Sequence, residues 1–290
     1  MCDVRHAVYV CLLAGLASHA AAHAADVAAR PSAGCAAPTL ETGSRLQRSI
    51  EVDGRPRSYI LDVPPRLQAH AAVPLLFDFH GFGHSAAGVW EVSEFRALAA
   101  HEGFITVYPD GLPVHLLGRD GPGWDIFTVD ANRDLALTAR LLDHLEQTYC
   151  IDRTRVFATG FSNGAFFTNL LACVMPERFA AIAPVSGGLT PGSCDVPRGV
   201  PVMIHHGRSD HTVDVKMARR IRDVWVERNG CAVLERTDCE WHRQCRNGAD
   251  VAYCENDDGH RWPAEATARI WQFFRSHPLM GEHPAARAAR

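Results

Sequence analysis

The feature that most constrains this chain is an alternation. Apolar runs of strand length at residues 73–79, 104–108, 155–158, 181–185 and 200–205 are separated by longer stretches of helical period. Strands that read as continuous apolar runs are buried on both faces, and helices between them imply a mostly parallel sheet with helices packed on either side. Ahead of this pattern, residues 47–63 read as two strands around the turn Asp53-Gly54-Arg55-Pro56, the second carrying the alternation Tyr59-Ile60-Leu61-Asp62-Val63. The clearest helix spans 132–149, with Asn132 as its N-cap and Leu135, Leu142 and Leu145 on one side. The expected fold class is α/β, and in such sheets chemistry gathers at the carboxyl ends of the strands.

With 290 residues, 47% of them hydrophobic, the chain can bury one substantial core. Its net charge of −4, with both signs interspersed, offers no basic stripe for phosphates, which argues against a nucleic-acid partner. At the N-terminus, Arg5 and His6 precede an apolar run from Ala7 to about Ala17, and small residues then end in Ala-His-Ala at 22–24. A short apolar core followed by an A-x-A site reads as a secretory signal; a membrane span needs about 20 apolar residues, and none is expected here. Ser32-Ala33-Gly34 before Cys35 offers a rival lipoprotein reading, but Arg30-Pro31 separate that cysteine from the apolar core. The expected organisation is a signal peptide at 1–24, a disordered or extended leader at 25–45, one catalytic domain at 46–276 and a flexible tail at 277–290. A secreted monomer is expected.

Eight cysteines remain beyond the signal, at 35, 150, 173, 194, 231, 239, 245 and 254. An even set in an exported chain implies disulfides. The nearest pairings are Cys239 with Cys245, Cys231 with Cys254, and Cys173 with Cys194. The spacings are irregular and lack a paired C-x-x-C element, so no metal site is expected.

Residues 155–164, Arg-Val-Phe-Ala-Thr-Gly-Phe-Ser-Asn-Gly, place G-x-S-x-G between an expected strand and an expected helix at 165–171. That context is what a nucleophile elbow needs, because the tight turn forces unusual backbone angles at the serine while flanking glycines let strand and helix approach. Ser162 is the candidate nucleophile. The Asn163 amide would supply one oxyanion donor, and a second should come from the loop after an early strand. Residues 75–83 run from a strand into His80-Gly81-Phe82-Gly83, so the Phe82 amide is assigned, with Gly81 as rival and His80 as a brace of the turn. For a serine at such an elbow, the acid and then the histidine follow in the chain. Asp210 lies in the turn after His205 and His206, with Asp214 as a rival more suited to capping a helix. His260 stands in the loop Asp257-Asp258-Gly259-His260-Arg261-Trp262-Pro263. Trp90, Trp124 and Trp262 fall in or near loops at the same edge and are candidate walls for a flat acyl group; Phe166 and Phe167, on the helix after the elbow, read as core.

The segments Gly160-Phe-Ser-Asn-Gly-Ala, His80-Gly-Phe-Gly, His206-Gly-x-x-Asp210 and Gly259-His260-x-Trp262-Pro263 resemble the first carbohydrate-esterase family and its polyhydroxybutyrate-depolymerase-like relatives, within the α/β-hydrolase fold. Trp225-Val-x-x-Asn229-Gly230-Cys231 and the spaced Cys239, Cys245 and Cys254 are similar to those of secreted feruloyl esterases. Over about 46–274, the resemblance implies a Ser162, Asp210, His260 triad, no cofactor, and an ester on plant polysaccharide as substrate. The alternatives are hydroxyalkanoate oligomers or polyester, and a non-catalytic carbohydrate-binding or envelope protein. One departure is Asp258, where the family often has glycine; a carboxylate there would raise the pKa of the histidine.

Overall fold

The computed structural model describes residues 27–67, 70–189, 194 and 198–280, so the expected signal peptide and the end of the expected tail, 281–290, lie outside it. In chain order the elements are β1 (Gly43–Val52), β2 (Arg55–Val63), β3 (Val73–Phe79), α1 (Ala86–Val92), α2 (Phe95–Glu102) and β4 (Ile105–Pro109). A small hairpin, β5 (Leu112–Leu116) and β6 (Arg119–Gly123), precedes α3 (Arg133–Thr148), β7 (Ile151–Phe161), α4 (Asn163–Val174), β8 (Ala181–Val185) and β9 (Val202–Gly207). The chain continues through α5 (Val215–Asn229), β10 (Val233–Arg236), β11 (Glu240–Arg243), β12 (Val251–Asn256) and α6 (Ala266–Arg275).

Ten strands form one sheet in the order β1-β2-β4-β3-β7-β8-β9-β12-β11-β10. From β4 to β12 every neighbouring pair is parallel, and antiparallel strands close both edges. Alternate residues of the central strands enter opposite cores. Leu75, Phe77 and Phe79 of β3 pack with α3, α4 and α5, whereas Leu76 and Phe157 pack with α2 and α6. That two-sided burial is why these strands read as unbroken apolar runs. The α3 helix begins as expected, with the Asn132 side chain accepting from the amides of Asp134 and Leu135, and Leu135, Leu142 and Leu145 are all buried.

Several expectations are corrected. The first turn is Asp53-Gly54 alone, both at positive φ (51° and 70°); such a two-residue turn matches the twist of its strands, so Arg55 and Pro56 already belong to β2. Part of the expected leader is docked. Ser32 donates its amide to the Ile151 carbonyl at 2.8 Å and its hydroxyl to the Tyr149 carbonyl at 2.9 Å, and Cys35 is disulfide-bonded to Cys150. The start of the expected tail is also fixed, because His277 and Leu279 are buried and the Leu279 amide donates to the Thr154 carbonyl at 2.7 Å.

Of the three expected disulfides only Cys173 with Cys194 forms; the others are Cys231 with Cys245 and Cys239 with Cys254. Strand register explains the change. Cys239 and Cys245 flank opposite ends of β11, several residues of extended chain apart, and cannot meet. The Glu240↔Tyr253 register puts Cys239 opposite Cys254, and the Val233↔Arg243 register puts Cys231 opposite Cys245. Proximity in sequence pairs the wrong residues because the hairpins fold across, not along, the strands.

One buried charge is at odds with this core. Asp78 on β3 is fully buried and neither carboxylate oxygen makes a well-formed hydrogen bond among the described residues. Burial pushes its pKa up to about 7, and the nearby Ser93 hydroxyl offsets this only in part. A carboxyl with a raised folded-state pKa contributes full stability below the ordinary carboxylate range and loses it as pH rises through about 7. Asp78→Asn is therefore expected to raise the thermal midpoint at pH 8 by about 2–4 °C per kcal/mol recovered, the gain shrinking toward zero by about pH 4. Calorimetry at the two pH values checks this; an equal gain at both would contradict it.

Candidate active site

Ser162 sits at the carboxyl end of β7, where the strand turns directly into α4, with φ 54° and ψ −117°. A side-chain-bearing residue held there costs about 1–3 kcal/mol, and the surroundings fix it. Its amide donates to the Val185 carbonyl at 2.9 Å, and its carbonyl accepts from the amides of Ala165 and Phe166 in the first turn of α4. The flanking glycines are required by contact. A Cβ at Gly164 would lie 2.1 Å from the Phe79 carbonyl oxygen, and one at Gly160 would lie 2.6 Å from the Gly164 carbonyl oxygen.

The three expected side chains are brought together. The Ser162 hydroxyl lies 2.9 Å from His260 Nε2, and His260 Nδ1 lies 2.7 Å from Asp210 Oδ2. With the proton on Nδ1, the ring donates to Asp210 and accepts from the serine. Asp210 Oδ1 accepts from the amides of Thr212 and Val213, each at 2.8 Å. Burial works against its charge, but the Val213 amide, the His260 ring and the Thr212 amide outweigh it and hold the carboxyl below its ordinary range. Asp214 is elsewhere: it is exposed and caps α5, accepting from the Lys216 amide.

The acid and histidine loops are tied to each other. The Arg208 amide donates to the Asn256 carbonyl at 2.8 Å and the Ser209 amide to the Asp258 carbonyl at 3.0 Å, and a Cβ at Gly207 would lie 2.1 Å from that same oxygen. Asp258 pairs with Arg261 and accepts from the Asn256 side-chain amide, so its carboxylate is engaged away from His260. His206, which opens the His206-Gly-x-x-Asp210 segment, gains a role that its place in the sequence did not specify. Its Nε2 donates to the Val213 carbonyl at 2.8 Å and stands 3.5 Å from Asp210 Oδ2, bracing the turn that carries the acid. Burial lowers its pKa, which keeps it neutral.

On the other side of the serine, the loop after β3 is fastened by His80. Burial lowers its pKa; the neutral ring donates from Nδ1 to the Gly81 carbonyl at 2.8 Å and accepts at Nε2 from the Gly111 amide at 2.9 Å. Gly81 lies against Ser162, since a Cβ there would come within 3.4 Å of the serine Cβ. Neither the Phe82 nor the Asn163 amide donates to a backbone acceptor among the described residues.

Of the expected walls, Trp124 is only 1% exposed and stacks on Phe167, so it is core and not a free surface. It braces the site from behind instead. Its amide donates to the Asn163 side-chain oxygen at 2.8 Å, its carbonyl accepts from the Asn163 side-chain nitrogen at 3.2 Å, and its indole donates to the His80 carbonyl at 2.8 Å. The guanidiniums of Arg45 and Arg96 lie over the Trp90 ring, 4.9 Å and 4.3 Å from its centroid, and its indole donates to Asp62. Trp262, two residues after His260, meets Phe95 edge-on and donates to the Thr267 hydroxyl. A cavity of about 340 Å³ opens outside Trp124, lined among others by Val114, His115, Leu116, Phe127 and Arg133. Phe167 is core as expected, whereas Phe166 is only half-buried. Among the described residues no cluster of His, Cys, Asp and Glu is arranged to hold a metal ion.

A parallel sheet flanked by helices, a serine at a strand-to-helix elbow, and a histidine and carboxylate brought to it from later strand ends define a carboxylic ester hydrolase of the α/β-hydrolase fold. Residues 63–248 match the phospholipase/carboxylesterase family, and the chain belongs to it. It is 28% identical to feruloyl esterase D of Neurospora crassa, over 86% of this chain and 92% of that one. Feruloyl esterase B of Piromyces equi is 27% identical over 77% of this chain, which spans 46% of that protein. Among solved structures, the acetyl xylan esterase from Aspergillus awamori superposes with a TM-score of 0.63 at 18% identity, covering 79% of this chain and 99% of that one. A ferulic acid esterase from Anaeromyces mucronatus, solved with ferulic acid, gives 0.58 at 15% identity, covering 82% and 93%. No helix among the described residues is long and apolar enough to cross a membrane.

The glycine contacts set a test of the elbow. Gly164→Ala drives a methyl group into the Phe79 carbonyl, and overpacking of that kind is expected to cost about 1–3 kcal/mol or more in denaturant unfolding, with activity falling in parallel. Unchanged stability would show that β3 and α4 do not depend on this approach.

Proposed function

We propose that this protein is an exported feruloyl esterase that releases hydroxycinnamic acids from plant cell-wall polysaccharide, with Ser162 as nucleophile, His260 as base and Asp210 as the group that orients the histidine. The observation that carries the reading is the continuous hydrogen-bonded relay from Ser162 through His260 to Asp210. The named activities of the Neurospora and Piromyces relatives support the substrate class. Export is supported by the N-terminal apolar run and by four disulfides, which persist in oxidising compartments.

In the proposed cycle the Ser162 oxygen attacks the ester carbonyl while its proton passes to His260 Nε2. The carbonyl oxygen takes the negative charge and is met by the amides of Phe82 and Asn163. As the tetrahedral species collapses, His260 returns the proton to the departing alkoxide, leaving an acyl group on Ser162. Water then attacks with its proton taken by His260, and the carboxylic acid and free serine are released. Asp210 stabilises the imidazolium in both halves; because its own carboxyl titrates below the ordinary range, it stays charged wherever His260 works.

Ser162→Ala and His260→Ala should each lower kcat by about three orders of magnitude or more with folding intact, and Asp210→Asn by about the same. Asp214→Asn should leave turnover within about twofold, since asparagine also caps a helix. Full activity in Asp210→Asn with loss in Asp214→Asn would reverse the assignment of the acid.

Initial rates on methyl ferulate, a short-chain p-nitrophenyl ester and a hydroxybutyrate oligomer test the substrate. A ferulate preference that vanishes in Ser162→Ala is the expected result. An oligomer preference would make the protein a hydroxyalkanoate depolymerase, and no serine-dependent turnover on any would favour a binding protein.

A further inference from the structure

Phe166 lies one helical turn beyond Ser162, and its amide donates to the serine carbonyl at 3.1 Å. Long helical side chains lean back toward the N-terminus of their helix, so this ring covers surface beside the serine rather than beyond it. Its neighbour Phe167 is wholly buried, but Phe166 is only half-buried. The ring rests on bare backbone just past β8. A Cβ at Gly188 would lie 2.3 Å from Phe166 Cε1 and 2.9 Å from Met217 Cε, so the aromatic ring and the thioether meet over that glycine. Met217 is 39% exposed in the first turn of α5, three residues past the Asp214 cap and on the element that follows the Asp210 turn. An aromatic ring and a flexible, polarisable thioether, both partly open to solvent on the helices that follow the Ser162 and Asp210 turns, form a surface suited to a flat apolar ligand.

Reaction geometry gives that surface an occupant. At the tetrahedral carbon the oxyanion faces the Phe82 and Asn163 amides, and the alcohol oxygen must lie within reach of His260 Nε2. The acyl substituent is the remaining group. Of the half-buried apolar rings near the serine in sequence, Phe161 packs against the His260 ring, centroids 4.8 Å apart, where the alcohol must leave, whereas Phe166 packs over Gly188. We propose that Phe166 and Met217, meeting over Gly188, form the wall against which the aryl ring of the acyl group lies, and so set the preference for aryl over short acyl esters. This rests on the feruloyl reading of the site.

p-Nitrophenyl ferulate and p-nitrophenyl acetate share a leaving group, so the ratio of their kcat/KM values reports the acyl side alone. In Phe166→Ala this ratio is expected to fall about tenfold, mostly through a higher KM for the ferulate, as loss of part of one buried ring predicts. Met217→Ala, at an exposed position that tolerates truncation, should lower it about threefold and keeps the test open if Phe166→Ala does not fold. A change of less than about twofold in both variants, an equal loss on both esters, or a fall seen only in Phe127→Ala would overturn the proposal, the last by moving the aryl site to the cavity outside Trp124. Wild-type protein that cleaves the acetate but not the ferulate would overturn the feruloyl reading itself, and this inference with it.

Discussion

The site depends on how closely the start of α4 can approach the end of β3. With Gly164 the helix backbone meets the Phe79 and His80 carbonyls, where a side chain would stand 2.1 Å and 2.6 Å from their oxygens. That approach brings the loop after β3 against Ser162, so one tight contact positions both the candidate nucleophile and the candidate oxyanion donors. The unfavourable φ of the serine follows from the same requirement. Its cost is offset by the β7, β8 and α4 backbone hydrogen bonds, which a relaxed serine would have to give up.

Around this contact, hydrogen bonds in a low-dielectric interior replace charge. His80, Trp124 and Asn163 join three separate loops through neutral donors and acceptors, each satisfied by a backbone group. A charged residue in His80's place would carry a large desolvation cost beside the oxyanion loop, whereas a neutral imidazole donates and accepts at fixed points. Asp210 is the exception that needs its charge, and it receives two amides and an imidazole donor. Asp78, one β3 residue away from that layer, has no such set, which is why burial moves its pKa in the opposite direction from that of Asp210.

What could be read in the sequence was what is written locally. The strand runs are continuous because both faces are buried, Gly160 and Gly164 mark the elbow because backbone must touch backbone, and Asn132 and Asp214 cap helices through their own neighbouring amides. What could not be read depends on register or on distant partners. Cys239 finds Cys254 because β11 and β12 pair at Glu240↔Tyr253, a relation no spacing encodes. Trp124 carries an indole suited to an exposed wall, and only the tertiary fold buries it against Phe79 and Phe167, with Asn163 lying 39 residues away. The segment around Ser32 is polar and Ala-rich, yet its hydroxyl and amide complete the edge beside Ile151. The β5–β6 hairpin, rich in glycine and proline, lacks the apolar run that marks the central strands.

The acid and histidine loops face a different problem, since they leave neighbouring strands, β9 and β12, and must stay in register with a serine on β7. Backbone hydrogen bonds from Arg208 and Ser209 to the histidine loop tie them directly, and the absence of a Cβ at Gly207 lets the Asp258 carbonyl close over the turn. Beneath them Glu255 on β12 accepts from Arg219 of α5, from the Tyr253 hydroxyl and from Arg208 of the acid loop, and these contacts, Arg219 foremost, outweigh burial and hold its carboxyl well below the ordinary range, down to about 2. Exposed ion pairs contribute little to stability singly, but here one carboxylate spans a strand, a loop and a helix. The Cys239–Cys254 bond anchors β12 two residues before the strand ends and the histidine loop begins. The loops that carry Asp210 and His260 are therefore tied to each other and to the sheet by backbone hydrogen bonds, one shared carboxylate and one disulfide, the kind of support that fixed distances in a candidate proton relay require.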